Sequence, residues 1–187
     1  MRPSREQVRS SEYAYFVSTQ TSQRRSFFQG ERWASLMVDV LTHYQGTGYQ
    51  LHAYVVMPDH LHVLLSPTES VEKAVQLIKG GFSFRVKREL GWTGEVWQSG
   101  FTDHRIRDNE DWERHLEYIR LNPVEARLVD DSALYQWMGF PNRDFPQGLK
   151  PLNTAKGDVR AEARTLHTAE ARTLHTAEAR TLRSNGR

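Results

Sequence analysis

Cysteine is absent from all 187 residues, which excludes disulfide staples, thiolate zinc centres and cysteine nucleophiles. Long apolar runs are missing too. No stretch approaches the roughly eighteen apolar residues needed to cross a bilayer, and Met1-Arg2-Pro3-Ser4-Arg5-Glu6 leads into no apolar signal core. The expectation is a protein without membrane attachment, working in a reducing cytoplasm. An excess of one charge is also lacking: 25 Lys and Arg stand against 23 Asp and Glu, a formal charge of +2. Residues 1–155 hold 18 basic and 19 acidic side chains, and residues 156–187 hold seven and four. Basicity is thus a property of the tail, and any nucleic-acid argument must come from local patches.

Aromatic side chains, by contrast, are plentiful. Five Trp, seven Tyr and eight Phe can fill the core of one domain. Tyr13 to Thr19 reads as a strand, and the basic Gln23-Arg24-Arg25 turn follows. Trp33, Leu36, Met37, Val40, Leu41 and Tyr44 recur at helical spacing across Glu31–Tyr44. Tyr49–Met57 and His60–Leu65 form two strands around a Pro58-Asp59 turn. A helix starting near Ser70 turns Val71, Val75, Ile78, Phe82 and Val86 inward, with Gly80-Gly81 marking a kink or a close approach. His104–Arg107 is strand-like, and a helix from Glu110 to about Leu121 follows, with an acidic first turn and a break at Pro123. Trp137, Met138, Phe140 and Phe145 place part of the following segment against a core. The order strand, helix, strand, strand, helix, strand, helix predicts an α+β fold: a ferredoxin-like or RRM-like split β-α-β core with a four-stranded antiparallel sheet, plus one added helix.

The tail differs in kind. Ala161-Glu162-Ala163-Arg164-Thr165-Leu166-His167-Thr168 recurs unchanged at 169–176, and a third copy runs from Ala177 to Leu182. The chain divides accordingly into a domain over 1–155 and a low-complexity tail over 156–187, disordered or partly helical. His167 and His175 come with the repeat and receive no metal role.

The most informative segment is Val55-Val56-Met57-Pro58-Asp59-His60-Leu61-His62-Val63-Leu64-Leu65. In a strand His60 and His62 point to one face and Leu61 to the other. Two imidazoles on one face of an apolar run suit a divalent ion, which needs further ligands. The last helix offers Tyr118 and Asn122 one turn apart on one face. Asn122 has an amide oxygen for coordination, and a phenol beside a cation is a candidate nucleophile for phosphoryl transfer. The bland readings are hydrogen-bonded structural histidines, a core tyrosine and a helix-end asparagine; spacing alone leaves both sets open.

These residues carry a family resemblance. Met57-Pro58-Asp59-His60-Leu61-His62 resembles the His-hydrophobic-His block of the REP-associated tyrosine transposases, a branch of the IS200/IS605-like single-tyrosine transposases in the HUH endonuclease superfamily. Val96-Trp97-Gln98 with Phe101 is similar to the next block. The run from Tyr118 and Ile119 through Asn122-Pro123-Val124, Ala126, Leu128 and Val129 resembles the tyrosine block. The likeness extends from about Tyr13 to Val129. It implies Mg²⁺ or Mn²⁺ held by His60, His62 and Asn122, and attack by Tyr118 on single-stranded DNA. The product is a 5′-phosphotyrosine link with a free 3′-OH, and the substrate a REP-type palindromic hairpin. It leaves open whether a monomer or a dimer acts. Arg24, Arg25, Lys79, Arg85, Lys87, Arg88, Arg105, Arg107 and Arg120 are candidate phosphate contacts, with Trp92 and Trp97 divided between base stacking and core. His104 and His115 are either structural or neighbours of the site. The rival reading is a hairpin or single-strand binding module on the same fold that has lost its chemistry; a structural metal-binding protein is a third.

Overall fold

The computed structural model describes residues 13–146; the eight-residue repeats and the proposed boundary after Ala155 lie outside them. Among the described residues the sheet has five strands: β1 (Tyr15–Gln20), β2 (Tyr49–Met57), β3 (His60–Pro67), β4 (Thr102–Arg105) and β5 (Met138–Gly139). They lie in the order β4-β1-β3-β2-β5, every pairing antiparallel. The helices are α1 (Glu31–His43), α2 (Val71–Leu90) and α3 (Asn109–Glu125). The first four strands with α1 and α2 reproduce the expected β-α-β-β-α-β core. The fifth strand, unanticipated from sequence, is two residues long, too short for alternation to register.

Helices α2 and α3 start at side-chain caps. Ser70 caps α2 by accepting from the Lys73 amide at 3.1 Å, and Gly91 closes it in the left-handed region at φ 69°. Asp108 caps α3 by accepting from the Asp111 amide at 2.8 Å. The expected break at Pro123 does not occur. The proline sits inside α3, close enough to the end that its missing N–H forfeits little. The helix ends two residues later at Glu125, and just past its cap Arg127 takes φ 56°. There Leu128 N donates to Pro123 O and Arg127 N to Val124 O, both at 2.9 Å, a Schellman closure with arginine in the usual glycine position. The Gly80-Gly81 pair leaves α2 unbroken; a Cβ on Gly81 would meet the Tyr44 ring at 2.7 Å, while Gly80 faces open space, so Gly81 marks the close approach of α1's end.

The sheet separates two cores. On one face α1 and α2 bury Met37, Leu41, Ile78 and Phe82 against Val17, Leu61, Val63 and Leu65. On the other, α3 and the C-terminal segment bury Trp112, Leu116 and Ile119 against Phe16, Ala53, Val55, Met57 and Leu64. A register shift between Leu51 and Ala53 places a bulge at His52. That extra residue reverses the alternation of β2: Tyr49 and Leu51 face α1 and α2, whereas Ala53, Val55 and Met57 face α3. β3 keeps a strict alternation, so His60 and His62 fall with Leu64 on the α3 face.

Candidate active site

His62 is 1% exposed and lies in register opposite Ser18 of β1. The Ser18 hydroxyl makes a short hydrogen bond to His62 Nδ1. The other ring nitrogen, Nε2, is buried without any hydrogen-bond partner. Burial above all, then the neighbouring imidazoles of His60 and His115, hold the His62 pKa well below its ordinary value, so the ring is neutral. In the tautomer whose Nδ1–H donates to the Ser18 oxygen, the orphaned Nε2 of this neutral, buried imidazole carries a lone pair to offer a cation.

His60 stands beside it, ring centroids 4.8 Å apart and planes at 75°. Its Nδ1–H donates to Asp59 Oδ1 at 2.6 Å, and Arg24 Nε lies 3.3 Å from the other carboxylate oxygen. Burial pushes the Asp59 carboxyl up, but the bond from His60 and the nearby Arg24 guanidinium outweigh it and bring the pKa below its usual value.

Helix α3 brings the tyrosine. The Tyr118 ring packs edge-on against His62 at 5.2 Å and against Phe16 at 5.5 Å. Asn122 follows one turn later, 9% exposed. His60, His62 and Tyr118 therefore meet on one face, within one chain, and Asn122 lies on the same helix flank. With His62 Nε2 orphaned and His60 Nε2 left over by the Asp59 bond, and with Asn122 one turn beyond Tyr118, these residue types suit a divalent metal of the Mg²⁺ or Mn²⁺ type.

A second group, His104, Asp111 and His115, offers three ligand atoms within 4.8 Å of one another. Its chemistry is different. The Asp111 carboxylate, 2% exposed, accepts from His104 Nε2 at 2.7 Å and Arg107 N at 3.1 Å, with Arg107 Nε at 3.4 Å and an Arg114 guanidinium nitrogen at 3.5 Å. Burial raises its pKa, but the His104 bond and the surrounding positive groups outweigh that and leave it far below the usual carboxylate range. All of these hydrogen bonds end on Oδ2, while Oδ1 has ion-pair contacts to Arg114 and His115 but no hydrogen-bond partner; the ion pairs make the cluster a latch between β4 and the start of α3. His115 extends it by packing its ring on Phe16 at 4.7 Å, the planes tilted by 45°.

Most of the basic side chains expected to touch DNA are engaged within the protein. Lys79 Nζ donates to the Gln98 and Gly100 carbonyls at 2.8 and 2.7 Å and lies 5.8 Å from the Trp97 ring centre. Arg85 pairs with Glu89, as does Arg88, which also lies over Phe84. Arg120 pairs with Glu117, Arg107 with Asp111, and Arg24 with Asp59. Arg25 lies over Trp92 at 6.0 Å and Arg105 over Tyr13 at 4.7 Å; Lys87 is exposed. Arg85, Lys87 and Arg88 belong to α2, on the face of the sheet away from the histidines. Trp92 packs with Phe27 and Trp33, and Trp97 with Phe28 and Phe82, so both contribute to the core. Ser18, Phe16 and Asp111 escaped the sequence reading because only strand register and helix docking bring them to the site. Asp59 was visible beside His60, but as a turn residue.

A ferredoxin-like sheet whose histidine-bearing strand faces a tyrosine on an added helix has the architecture of a single-tyrosine transposase. The comparisons agree: the chain belongs to the family described as "Transposase IS200 like", whose model matches residues 9–122, and is a tyrosine transposase. It is 26% identical over 151 residues to a REP-associated tyrosine transposase of Escherichia coli K12, covering 78% of this chain and 86% of that one. A Haemophilus influenzae relative with the same family description is 28% identical over 130 residues, covering 59% and 73%. Among solved structures, a REP-associated tyrosine transposase bound to a REP hairpin has the same fold, with a TM-score of 0.62 and 24% identity over 85% of this chain and 93% of that one. No helix among the described residues is long and apolar enough to cross a membrane.

Proposed function

We propose that this protein cleaves and rejoins single-stranded DNA beside REP-type hairpins through a covalent link to Tyr118. The observation that carries the reading is the Tyr118 ring packed on His62, whose buried Nε2 has no partner in the protein. The Tyr118 oxygen attacks the phosphorus and forms the tyrosine–phosphate bond as the bond to the 3′ oxygen breaks. The phenolic proton is given up and the 3′ oxygen leaves as a hydroxyl. The link retains the bond energy, so a 3′-OH attacking the phosphotyrosine reverses the step. His60, His62 and Asn122 hold the metal, which when bound supplies positive charge at the scissile phosphate. The histidines act as ligands, His62 being neutral. Arg25 and Arg105, each lying over a ring rather than in a close ion pair, are the first candidates for phosphate contact. The packing of Tyr118 on His62 of its own chain supports a monomer as the acting form.

The test is incubation of the full chain with end-labelled single-stranded REP-type hairpin and Mn²⁺ or Mg²⁺, read on a denaturing gel. A protein–DNA adduct is expected, lost in Tyr118→Phe and in EDTA. Hairpin binding by the wild type with no adduct in either metal would overturn the enzymatic reading in favour of a binding module.

A further inference from the structure

Residues 21–28, between β1 and α1, hold the turn that carries His60. The Thr21 amide and hydroxyl both reach the Asp59 carbonyl at 2.9 Å, and the Phe28 amide donates to Pro58 O at 3.0 Å. Between these anchors the chain takes an expensive path. Gln23 and Arg24 adopt φ 57° and 52°, a left-handed conformation that costs a non-glycine residue about 1–2 kcal/mol. Such a conformation persists where the surroundings over-determine it. Its result is that Arg24 lies against Asp59, and Asp59 against His60.

We propose that Asp59, clamped by Arg24, is the positioning residue for His60. The inference rests on the reading of His60 as a metal ligand. An ionised carboxylate can only accept, so the proton between the two groups sits on His60 Nδ1, facing Asp59 Oδ1 at 2.6 Å. In the metal-binding form Nε2 then carries the lone pair. Carboxylate–histidine pairs of this kind fix the ring and raise its basicity as a ligand. His62 is set by a neutral hydroxyl instead, so the two histidines are unequal: one is charge-assisted, the other is not. Arg24 thereby changes role, from a candidate grip on DNA phosphate to an internal clamp. The loop that looks like a basic finger in the sequence is part of the site's frame.

Two measurements on the full chain test this. Long-range ¹H–¹⁵N correlation spectra of the metal-free protein read the His60 tautomer, and Mn²⁺ titration followed by electron paramagnetic resonance reads affinity. The wild type is expected to show Nδ1–H at His60. Asp59→Ala mixes the tautomers and weakens Mn²⁺ binding by about ten- to a hundred-fold. Asp59→Asn, which keeps a neutral acceptor, recovers part of that loss. Arg24→Gln weakens Mn²⁺ binding less, and leaves hairpin affinity in EDTA unchanged. An Nε2–H tautomer in the wild type overturns the proposal even if no variant folds. So does Mn²⁺ affinity unmoved in Asp59→Ala, or an Arg24→Gln protein that loses hairpin affinity in EDTA and keeps Mn²⁺ affinity. A wild type that binds no Mn²⁺ at the histidine pair would sink the metal reading instead, and the tautomer would still decide the role of Asp59.

Discussion

Ser18 and His62 face each other across β1 and β3, and the bond between them leaves the orphaned Nε2 as the imidazole's only vacant nitrogen. Ser18→Ala removes that constraint, and Mn²⁺ affinity is expected to fall about ten-fold, measurable by calorimetric titration, with the melting temperature little changed. His52 is a second residue whose state is set by its surroundings. It fills the β2 bulge, bonds Ser66 Oγ at 2.8 Å and packs edge-on against Trp112, and burial pulls its pKa down to about 4. Below pH 6.5 the unfolded chain therefore binds a proton that the folded chain refuses, so this group's contribution falls as the pH drops from 6.5 toward 4. The loss by pH 5 is about 2 kcal/mol relative to pH 7.5. The depressed His62 and His115 act in the same direction. Urea midpoints at the two pH values read the effect, and His52→Gln is expected to flatten it. At this scale the sequence disclosed the His60–His62 pair because two positions on one strand always share a face. Ser18 was invisible, because its relation to His62 exists only once β1 is in register.

Helix α3 is fixed to the sheet at two levels: apolar side chains along its length and the Asp111 latch at its start. The latch sits two turns before Tyr118, so it sets both the angle and the register at which the tyrosine meets His62. Removing the carboxylate strands His104 and Arg107 against a buried face. Asp111→Ala is expected to lower stability by about 2–3 kcal/mol in urea unfolding, somewhat below a fully buried pair because His104 is partly exposed. The other end of the helix offers a gain. Arg127 occupies a left-handed position that glycine takes without strain, so Arg127→Gly is expected to stabilise by about 0.5–1 kcal/mol, after the entropy that glycine loses on folding. Periodicity located α3 and its cap within a residue or two. It misplaced the end, because a proline near a helix's last turn reads as a stop although the backbone there has few bonds left to lose.

For the molecule as a whole, the segment after α3 closes the second core. Tyr135 Oη donates to Val56 O at 2.7 Å, Val56 N to Trp137 O at 2.9 Å, and Asn142 Nδ2 to Leu51 O at 2.7 Å. Phe145 packs edge-on against Trp112, whose indole N–H donates to Arg143 O at 3.1 Å. A chain ending at Asp131 would expose that tryptophan and the β2 edge. Red-shifted tryptophan emission and concentration-dependent aggregation in gel filtration are the expected readouts. The β-α-β-β-α-β order was legible because each element is long enough to show its period. The strap was legible only as four apolar residues with nowhere assigned to pack, since its hold on β2 is mostly through backbone groups that carry no residue signature.

β3 is flanked by β1 and β2, so its amides and carbonyls are engaged on both edges. Amide hydrogens in such a strand exchange with solvent only when the whole sheet opens, whereas a surface helix frays in smaller steps. The His60–His62 strand is thus expected to be among the slowest-exchanging backbone in deuterated water, and the last turn of α3 among the faster. The histidine strand is thereby the slow-opening wall of the cleft, and Asn122, in the helix's last turn, sits on the wall that opens more readily.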